Sequence, residues 1–173
     1  MTILLVLGGA RSGKSRHAEA WAMAAAGDRP IGYVATAQAL DDEMAARIAH
    51  HAARRGDRWR LHEAPIDLPG AIAAAATGTG AVLVDCLTLW LTNLMLGGHA
   101  IAAGRNALIA AIGACPVPLA LVANEVGLGI VPDNALARQF RDEAGWLNQA
   151  VAQAADRVVF VAAGLPLVLK GMP

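Results

Sequence analysis

Short runs of apolar residues recur along the chain, and each has the length and composition of a β-strand covered on both faces. These runs lie at residues 3–7, 31–35, 81–85, 119–123 and 157–162. The segment LPLVLKG at residues 165–171 adds a short predicted strand at the edge of the sheet. Hydrophobicity that is continuous along a strand is typical of parallel sheets, so the pattern predicts a sheet buried on both sides.

The segments between these strands predict helices. They lie at residues 15–26, 42–55, 67–76, 87–96, 101–114 and 134–155. In the last of these, Leu136, Phe140, Leu147 and Val151 keep one stripe of the helix apolar. Strands that alternate with helices predict an α/β fold, with a mostly parallel sheet and helices on both faces. At 173 residues, we expect one domain over the whole chain.

Composition excludes several classes of protein. The chain has 14 basic and 14 acidic residues, so no overall charge favours nucleic acid or an anionic membrane surface. Hydrophobic residues make up 56% of the chain, but the most apolar stretches are interrupted by Asp85 and by Pro116 and Pro118. No segment therefore has the roughly 20 apolar residues that a membrane span needs. The two cysteines lack the spacing of a metal or redox motif, which favours a cytoplasmic protein.

The first strand runs into GGARSGKS at residues 8–15, which satisfies the phosphate-loop pattern G-x-x-x-x-G-K-[ST]. Glycines allow backbone N–H groups to turn inward around phosphate oxygens, and the helix that follows presents its positive end. Lys14 is expected to reach the β and γ phosphates, and Ser15 to bind Mg²⁺. Because the loop joins an apolar strand to a helix, we predict a nucleoside triphosphate site in a P-loop NTPase-like fold.

Polar residues follow the third and fourth apolar runs, at the edge where ligands bind in sheets of this class. Asp85 ends the third run and has two interpretations, which are compatible: a second acid linked to Mg²⁺, or the N-cap of the next helix. Asn124 and Glu125 follow the fourth run and precede a glycine-containing loop. That loop is interpreted either as a tight turn or as a segment that faces a substrate.

The segment DDEMAARIAHHAARR at residues 41–55 places two adjacent histidines among arginines on a predicted helix. Helical spacing puts His50 on one face with Arg47 and Arg54, whereas His51 follows the apolar stripe. Adjacent histidines project about 100° apart and cannot chelate one metal ion together. Two hypotheses remain: a solvated basic helix, or a site in which neutral His50 attacks phosphorus while guanidinium groups stabilise the developing charge.

Longer motifs resemble one known family closely and in the same order along the chain. They are GGARSGKS, YVATAQALDDEMAARIAHH, WRLHEAP, VLVDCLTLWLTNLM and NEVGLGIVPDNALARQFRDEAGWLNQ. The chain resembles, from Ile3 to about Lys170, the bifunctional adenosylcobinamide kinase/adenosylcobinamide-phosphate guanylyltransferases. This resemblance implies two reactions: phosphorylation of adenosylcobinamide by ATP or GTP, and transfer of GMP from GTP to the resulting phosphate. It also implies a P-loop fold assembled as a homotrimer.

The resemblance further implies which residues act. The family's GMP-carrying histidine falls on His50, and Mg²⁺ is expected at Ser15 and Asp85. The expected nucleotide contacts are Gly8, Gly9, Ala10, Arg11, Ser12, Gly13, Lys14, Ser15, Ala35, Thr36, Ala37, His51, Ala52, Ala53, Arg54, Glu63 and Asp85.

Two other functions are compatible with a phosphate loop. A kinase with a single reaction would use His50 and its arginines only to hold its substrate, and no covalent GMP would form. A regulatory switch would couple nucleotide hydrolysis to binding of a protein partner, but neither a water-positioning residue nor a partner surface is evident in the sequence.

Overall fold

A computed structural model describes residues 2–38 and 56–172 of the chain, and the strands in these ranges form one sheet. The strands are β1 (Ile3–Gly8), β2 (Ile31–Ala35), β3 (Trp59–Glu63), β4 (Ala81–Asp85), β5 (Leu119–Asn124), β6 (Arg157–Ala162) and β7 (Leu165–Lys170). Their order is β3-β2-β4-β5-β1-β6-β7, and only the pairing of β6 with β7 is antiparallel. The predicted α/β fold with a mostly parallel sheet is confirmed.

Helices connect the strands at nearly the predicted positions. They are α1 (Lys14–Ala26), α2 (Leu68–Ala76), α3 (Leu87–Leu96), α4 (Ile101–Ala114) and α5 (Ala135–Ala154). Helices α2 and α5 begin at side-chain N-caps. The Asp67 side chain accepts a hydrogen bond from the N–H of Gly70, and the Asn134 side chain accepts one from the N–H of Ala137. The helix predicted over residues 42–55 lies outside the described residues.

The core lies on both faces of the sheet. Alternate residues of β1 divide between the two faces: Leu4 and Val6 belong to the cluster under α1, whereas Leu5 packs with the cluster under the other four helices. The predicted strand hydrophobicity therefore reflects burial on both sides. Among the described helices, none is both long and apolar enough to cross a membrane.

Strand β3 was not among the predicted strands. Its sequence, WRLHE, carries polar residues, and Leu61 is 60% exposed, so it lacks the apolar run that marks the central strands. Its pairing with β2 supplies the backbone hydrogen bonds, and the Trp59 ring meets that of Tyr33 edge-on with centroids 6.1 Å apart. A sheet edge with a single neighbouring strand accepts polar residues that a central position would exclude.

The predicted C-terminal edge strand is confirmed as β7, which closes the opposite side of the sheet. Its Lys170 donates from Nζ to the carbonyl oxygens of Ala152 and Gln153, at 2.9 and 3.0 Å. These carbonyls belong to the last turn of α5, where backbone acceptors lack partners within the helix. Lys170 therefore ties β7 to the end of α5.

Candidate nucleotide site

The phosphate loop connects β1 to α1 at the carboxyl edge of the sheet. The loop turns through left-handed backbone conformations at Arg11 (φ 55°) and Gly13 (φ 95°), and α1 begins at Lys14. The loop is also tied to the segment after β6, because the N–H of Gly164 donates a hydrogen bond to the carbonyl of Ser12 at 2.8 Å. The first turn of α1 thus points its unpaired N–H groups toward the space enclosed by the loop, as phosphate binding requires.

The atoms around Gly8 leave no space for a side chain. A Cβ at this position would lie 2.5 Å from Ser12 Oγ and 2.6 Å from the carbonyl oxygen of Val161, which belongs to the backbone of β6. We expect Gly8→Ala to lower the free energy of unfolding by about 1–3 kcal/mol, because the crowded backbone must shift. Urea denaturation measures this effect. Gly9→Ala is the matched control, since a Cβ there meets nothing within 4 Å; equal losses in the two variants would contradict the prediction.

Lys14 connects the phosphate loop with the end of β4. Its ammonium group donates to the carbonyl oxygen of Gly9 at 3.0 Å. Burial lowers the pKa of Lys14, while electrostatic interactions with Cys86 and Asp85 oppose that shift. The hydrogen bond to Gly9 therefore holds the positive charge of Lys14 in the phosphate loop, where it interacts electrostatically with the end of β4.

Asp85 ends β4, and the interpretation of this residue as a helix N-cap is wrong. The N-cap of α3 is Cys86, and it makes no side-chain capping hydrogen bond. The side chain of Asp85 is therefore not used in starting the helix. Burial raises the pKa of the Cys86 thiol to about 11, so this neighbour is a neutral thiol at physiological pH.

Two acidic residues, from the strands on either side of β2, lie at the same edge of the sheet as the loop. Ala35 is in register with both Glu63 of β3 and Asp85 of β4, so the three side chains project from the same face of the sheet. That face is the one covered by α1, since Tyr33 and Leu83, two residues earlier on β2 and β4, belong to the cluster under α1. The structure therefore brings Glu63, Ala35 and Asp85 to the edge that carries the phosphate loop.

Thr36 is fully buried, and its hydroxyl links the end of β2 to the start of α3 by hydrogen bonds. Its hydroxyl donates to the carbonyl of Cys86 at 2.7 Å and accepts from the N–H of Cys86 at 2.9 Å. The hydroxyl thus holds the backbone that follows Asp85. A nucleotide contact through Thr36 or Ala37 stays a prediction.

Asn93 of α3 was not recognised from the sequence as part of this edge. Its side-chain amide donates to the carbonyls of Thr36 and Pro65, at 2.8 and 3.0 Å. One turn earlier, Trp90 donates from its indole N–H to the carbonyl of Ile66 at 2.8 Å. Helix α3 therefore holds the segments that follow β2 and β3. Because these partners are backbone carbonyls, no residue pattern identifies them.

Several predicted site residues lie outside the described residues, namely His50, His51, Ala52, Ala53 and Arg54. Within residues 2–38 and 56–172, no group of three or more His, Cys, Asp or Glu side chains is arranged to hold a metal ion.

A phosphate loop at the carboxyl edge of a mostly parallel sheet, with a carboxylate at the end of a neighbouring strand, defines a P-loop nucleotide-binding protein. The family described as cobinamide kinase / cobinamide phosphate guanyltransferase matches residues 4–169. The chain belongs to this family, as the sequence motifs predict, and it is an enzyme with the two transferase activities that the family's description names.

Relatives along the full length agree with this assignment. The chain is 50% identical over 171 residues to the bifunctional adenosylcobalamin biosynthesis protein CobP of Pseudomonas aeruginosa, covering 98% of each chain. It is 47% identical to the bifunctional adenosylcobalamin biosynthesis protein CobU of Salmonella typhimurium, covering 97% of this chain and 99% of the relative.

A solved structure supports the fold alone. It is the flagellar accessory protein FlaH from Methanocaldococcus jannaschii, with a TM-score of 0.53 and 12% sequence identity. The similarity covers 98% of this chain and 78% of that protein.

Proposed function

We propose that this chain catalyses two successive reactions in cobalamin biosynthesis at one nucleotide-binding edge. In the first, a hydroxyl oxygen of adenosylcobinamide attacks the γ phosphorus of ATP or GTP. The bond from that phosphorus to the nucleoside diphosphate breaks, and the hydroxyl proton is released. In the second, GMP passes from GTP to the new phosphate, which yields adenosylcobinamide-GDP and pyrophosphate.

The observation that carries this proposal is the placement of Lys14 in the phosphate loop, where its ammonium group donates to the carbonyl of Gly9 and interacts electrostatically with Asp85. Positive charge from Lys14 and from the first turn of α1 stabilises negative charge on the phosphates during either transfer. Residues 8–15 are proposed to hold the triphosphate in both reactions. The family membership then specifies the acceptor as a cobinamide.

Mg²⁺ is proposed to accompany the nucleotide. Ser15 offers a hydroxyl and Asp85 a carboxylate, and oxygen donors of this kind suit Mg²⁺. The ion would neutralise phosphate charge. Glu63, Ala35, Thr36 and Ala37 are proposed to contact the nucleoside, which is supported by the placement of Glu63 and Ala35 on the same face as Asp85.

His50 is proposed to carry GMP between the two substrates. Its imidazole nitrogen attacks the α phosphorus of GTP, the bond to pyrophosphate breaks, and the ring loses its other N–H proton to leave a phosphoramidate. A phosphate oxygen of the acceptor then attacks the same phosphorus, the P–N bond breaks, and the ring regains a proton. His51, Ala52, Ala53 and Arg54 are proposed to contact the nucleotide beside it, because they follow His50 directly in the family motif.

Incubation with GTP labelled at the α phosphorus tests the proposal. We expect one GMP per chain, bound through a linkage that is labile in acid and stable in alkali, as a phosphoramidate is. Peptide mapping by mass spectrometry should locate the adduct at His50. Turnover of adenosylcobinamide with γ-labelled nucleotide but without any adduct would instead support the kinase with a single reaction. An adduct at another residue would move the nucleophile.

We further propose that the chain forms a single nucleotide-binding domain and works as a cytoplasmic homotrimer. Large apolar side chains exposed on the structure support an assembly of subunits, among them Trp146 on α5 and Leu165 and Leu167 on β7. Sedimentation of the purified protein tests the assembly.

A further inference from the structure

Asn124 lies on the strand between the phosphate loop and Asp85, the two parts of the candidate nucleotide site. It is the last residue of β5, and β5 separates β1, which enters the phosphate loop, from β4, which ends at Asp85. Asn124 is in register with Gly8, the first residue of the loop motif. On the other side of β5, Val122 is in register with Asp85.

The side chain of Asn124 projects from the face that carries the phosphate loop and α1. Residues paired in parallel strands point to the same face, and residues two apart along a strand do so as well. Asn124 therefore shares a face with Val122 and Asp85. Ala120 and Val122, which precede it on β5, pack in the cluster under α1. The amide of Asn124 thus lies on the side from which Lys14 approaches.

The backbone around Asn124 is anchored at three points. Its N–H donates to the hydroxyl of Thr88 at 2.7 Å, and its carbonyl accepts from the side-chain amide of Asn148 at 3.4 Å. The N–H of Glu125 donates to the carbonyl of Gly8 at 3.1 Å. These bonds hold the backbone of Asn124 against the phosphate loop, and none of them uses its side chain.

Two buried polar atoms at this point have no hydrogen-bond partner among the described residues. They are Oδ1 of Asn124 and Oγ of Ser12. The Ser12 hydroxyl occupies the space beside Gly8, since a Cβ built on Gly8 would lie 2.5 Å from it. Burying a polar atom without a partner typically costs about 1–3 kcal/mol, so unpaired atoms on neighbouring segments indicate a place prepared for a polar ligand. Phosphate oxygens accept hydrogen bonds, which the Ser12 hydroxyl can donate directly. The Asn124 amide can donate at the same place after a half-turn about its terminal side-chain bond, which exchanges Oδ1 for Nδ2.

We infer that Asn124 is a further catalytic residue, whose side-chain amide donates an N–H hydrogen bond to the γ phosphate of the nucleotide held by the phosphate loop. This inference rests on the proposed function. The contact stabilises negative charge on the γ phosphate, both when the γ phosphoryl group is transferred and when pyrophosphate leaves the α phosphorus that His50 attacks. When GMP moves from His50 to the acceptor, in-line attack places the acceptor phosphate where the β phosphate left. No group then occupies the γ position, so this contact is not made in that step.

Asn124→Ala tests this asymmetry in single-turnover measurements. We expect formation of the GMP adduct from GTP, and kinase turnover at saturating substrate, to fall about 10- to 100-fold, the usual effect of losing a hydrogen bond to a charged group. Discharge of adduct already formed, measured after GTP is removed and phosphorylated acceptor is added, should change less than about threefold. Asn124→Leu has a similar size, lacks the N–H donor and adds no charge, so it should show the same asymmetry and tests the inference if the alanine variant fails to fold.

Asn148→Ala is the control for packing. It removes the bond to the carbonyl of Asn124 while leaving the Asn124 amide in place, so adduct formation should change less than about threefold. Equal slowing of formation and discharge in Asn124→Ala, or wild-type rates for both, would overturn the inference. Failure of the wild-type protein to form any adduct would instead refute the proposed function.

Discussion

Replacing Lys14 with methionine is expected to lower the turnover of both reactions roughly 10²–10³-fold. Methionine keeps much of the length and packing of the lysine stem but carries no charge. In the structure the ammonium group bonds to the carbonyl of Gly9 and interacts with Asp85. Burial lowers the pKa of Lys14, so the site already places this cation where water screens it weakly. In the variant, charge developing on phosphate oxygens therefore loses a positive side chain of the loop itself.

Parallel assays with γ-labelled and α-labelled nucleotide measure the two losses in the Lys14→Met variant. Lys170→Met is the matched control, because Lys170 also bonds to backbone carbonyls but lies at the end of α5, on β7. We expect this control to lower stability and to leave both turnover rates within about threefold of wild type. Loss of one activity alone in Lys14→Met would show that the two reactions do not share the phosphate loop.

The central strands and the phosphate loop could be predicted from sequence because their signals are local. A strand such as β1 is apolar at every position, and GGARSGKS carries its own spacing requirement. Strand β3 carries no such signal, since its place depends on backbone pairing with β2 at an edge that tolerates polar side chains.

The geometry of the site could be predicted less completely, for a different physical reason. Strand order is set by how helices pack across the sheet, and it places Asn124 beside Gly8 although 116 residues separate them along the chain, as the register of β1 with β5 shows. Asn93 is similar, because it acts on backbone carbonyls that any residue would present. Asp85 was interpreted in two ways from sequence, and the structure removes the capping role since α3 begins after Cys86.

Replacing His50 with alanine is expected to separate the two reactions. Guanylyl transfer should fall by at least about 10³-fold, because removing a nucleophile closes the covalent route, whereas kinase turnover should stay within about threefold of wild type. The phosphate loop supplies the charge stabilisation for phosphoryl transfer, and that stabilisation does not depend on an imidazole. Rates of adenosylcobinamide phosphate formation and of adenosylcobinamide-GDP formation, measured separately, report the two effects.

His99→Ala is the control for loss of a histidine, since His99 is exposed in the turn between α3 and α4 and should affect neither rate. A second variant, His50→Gly, tests the chemistry further, because free imidazole added to the solution supplies the missing nucleophile. We expect imidazole to restore part of the GMP transfer in His50→Gly, through GMP-imidazole formed in the site, and to leave the Lys14→Met variant inactive. Retention of guanylyl transfer by His50→Ala without imidazole would mean that GMP passes directly from GTP to the acceptor phosphate, with no covalent step on the protein.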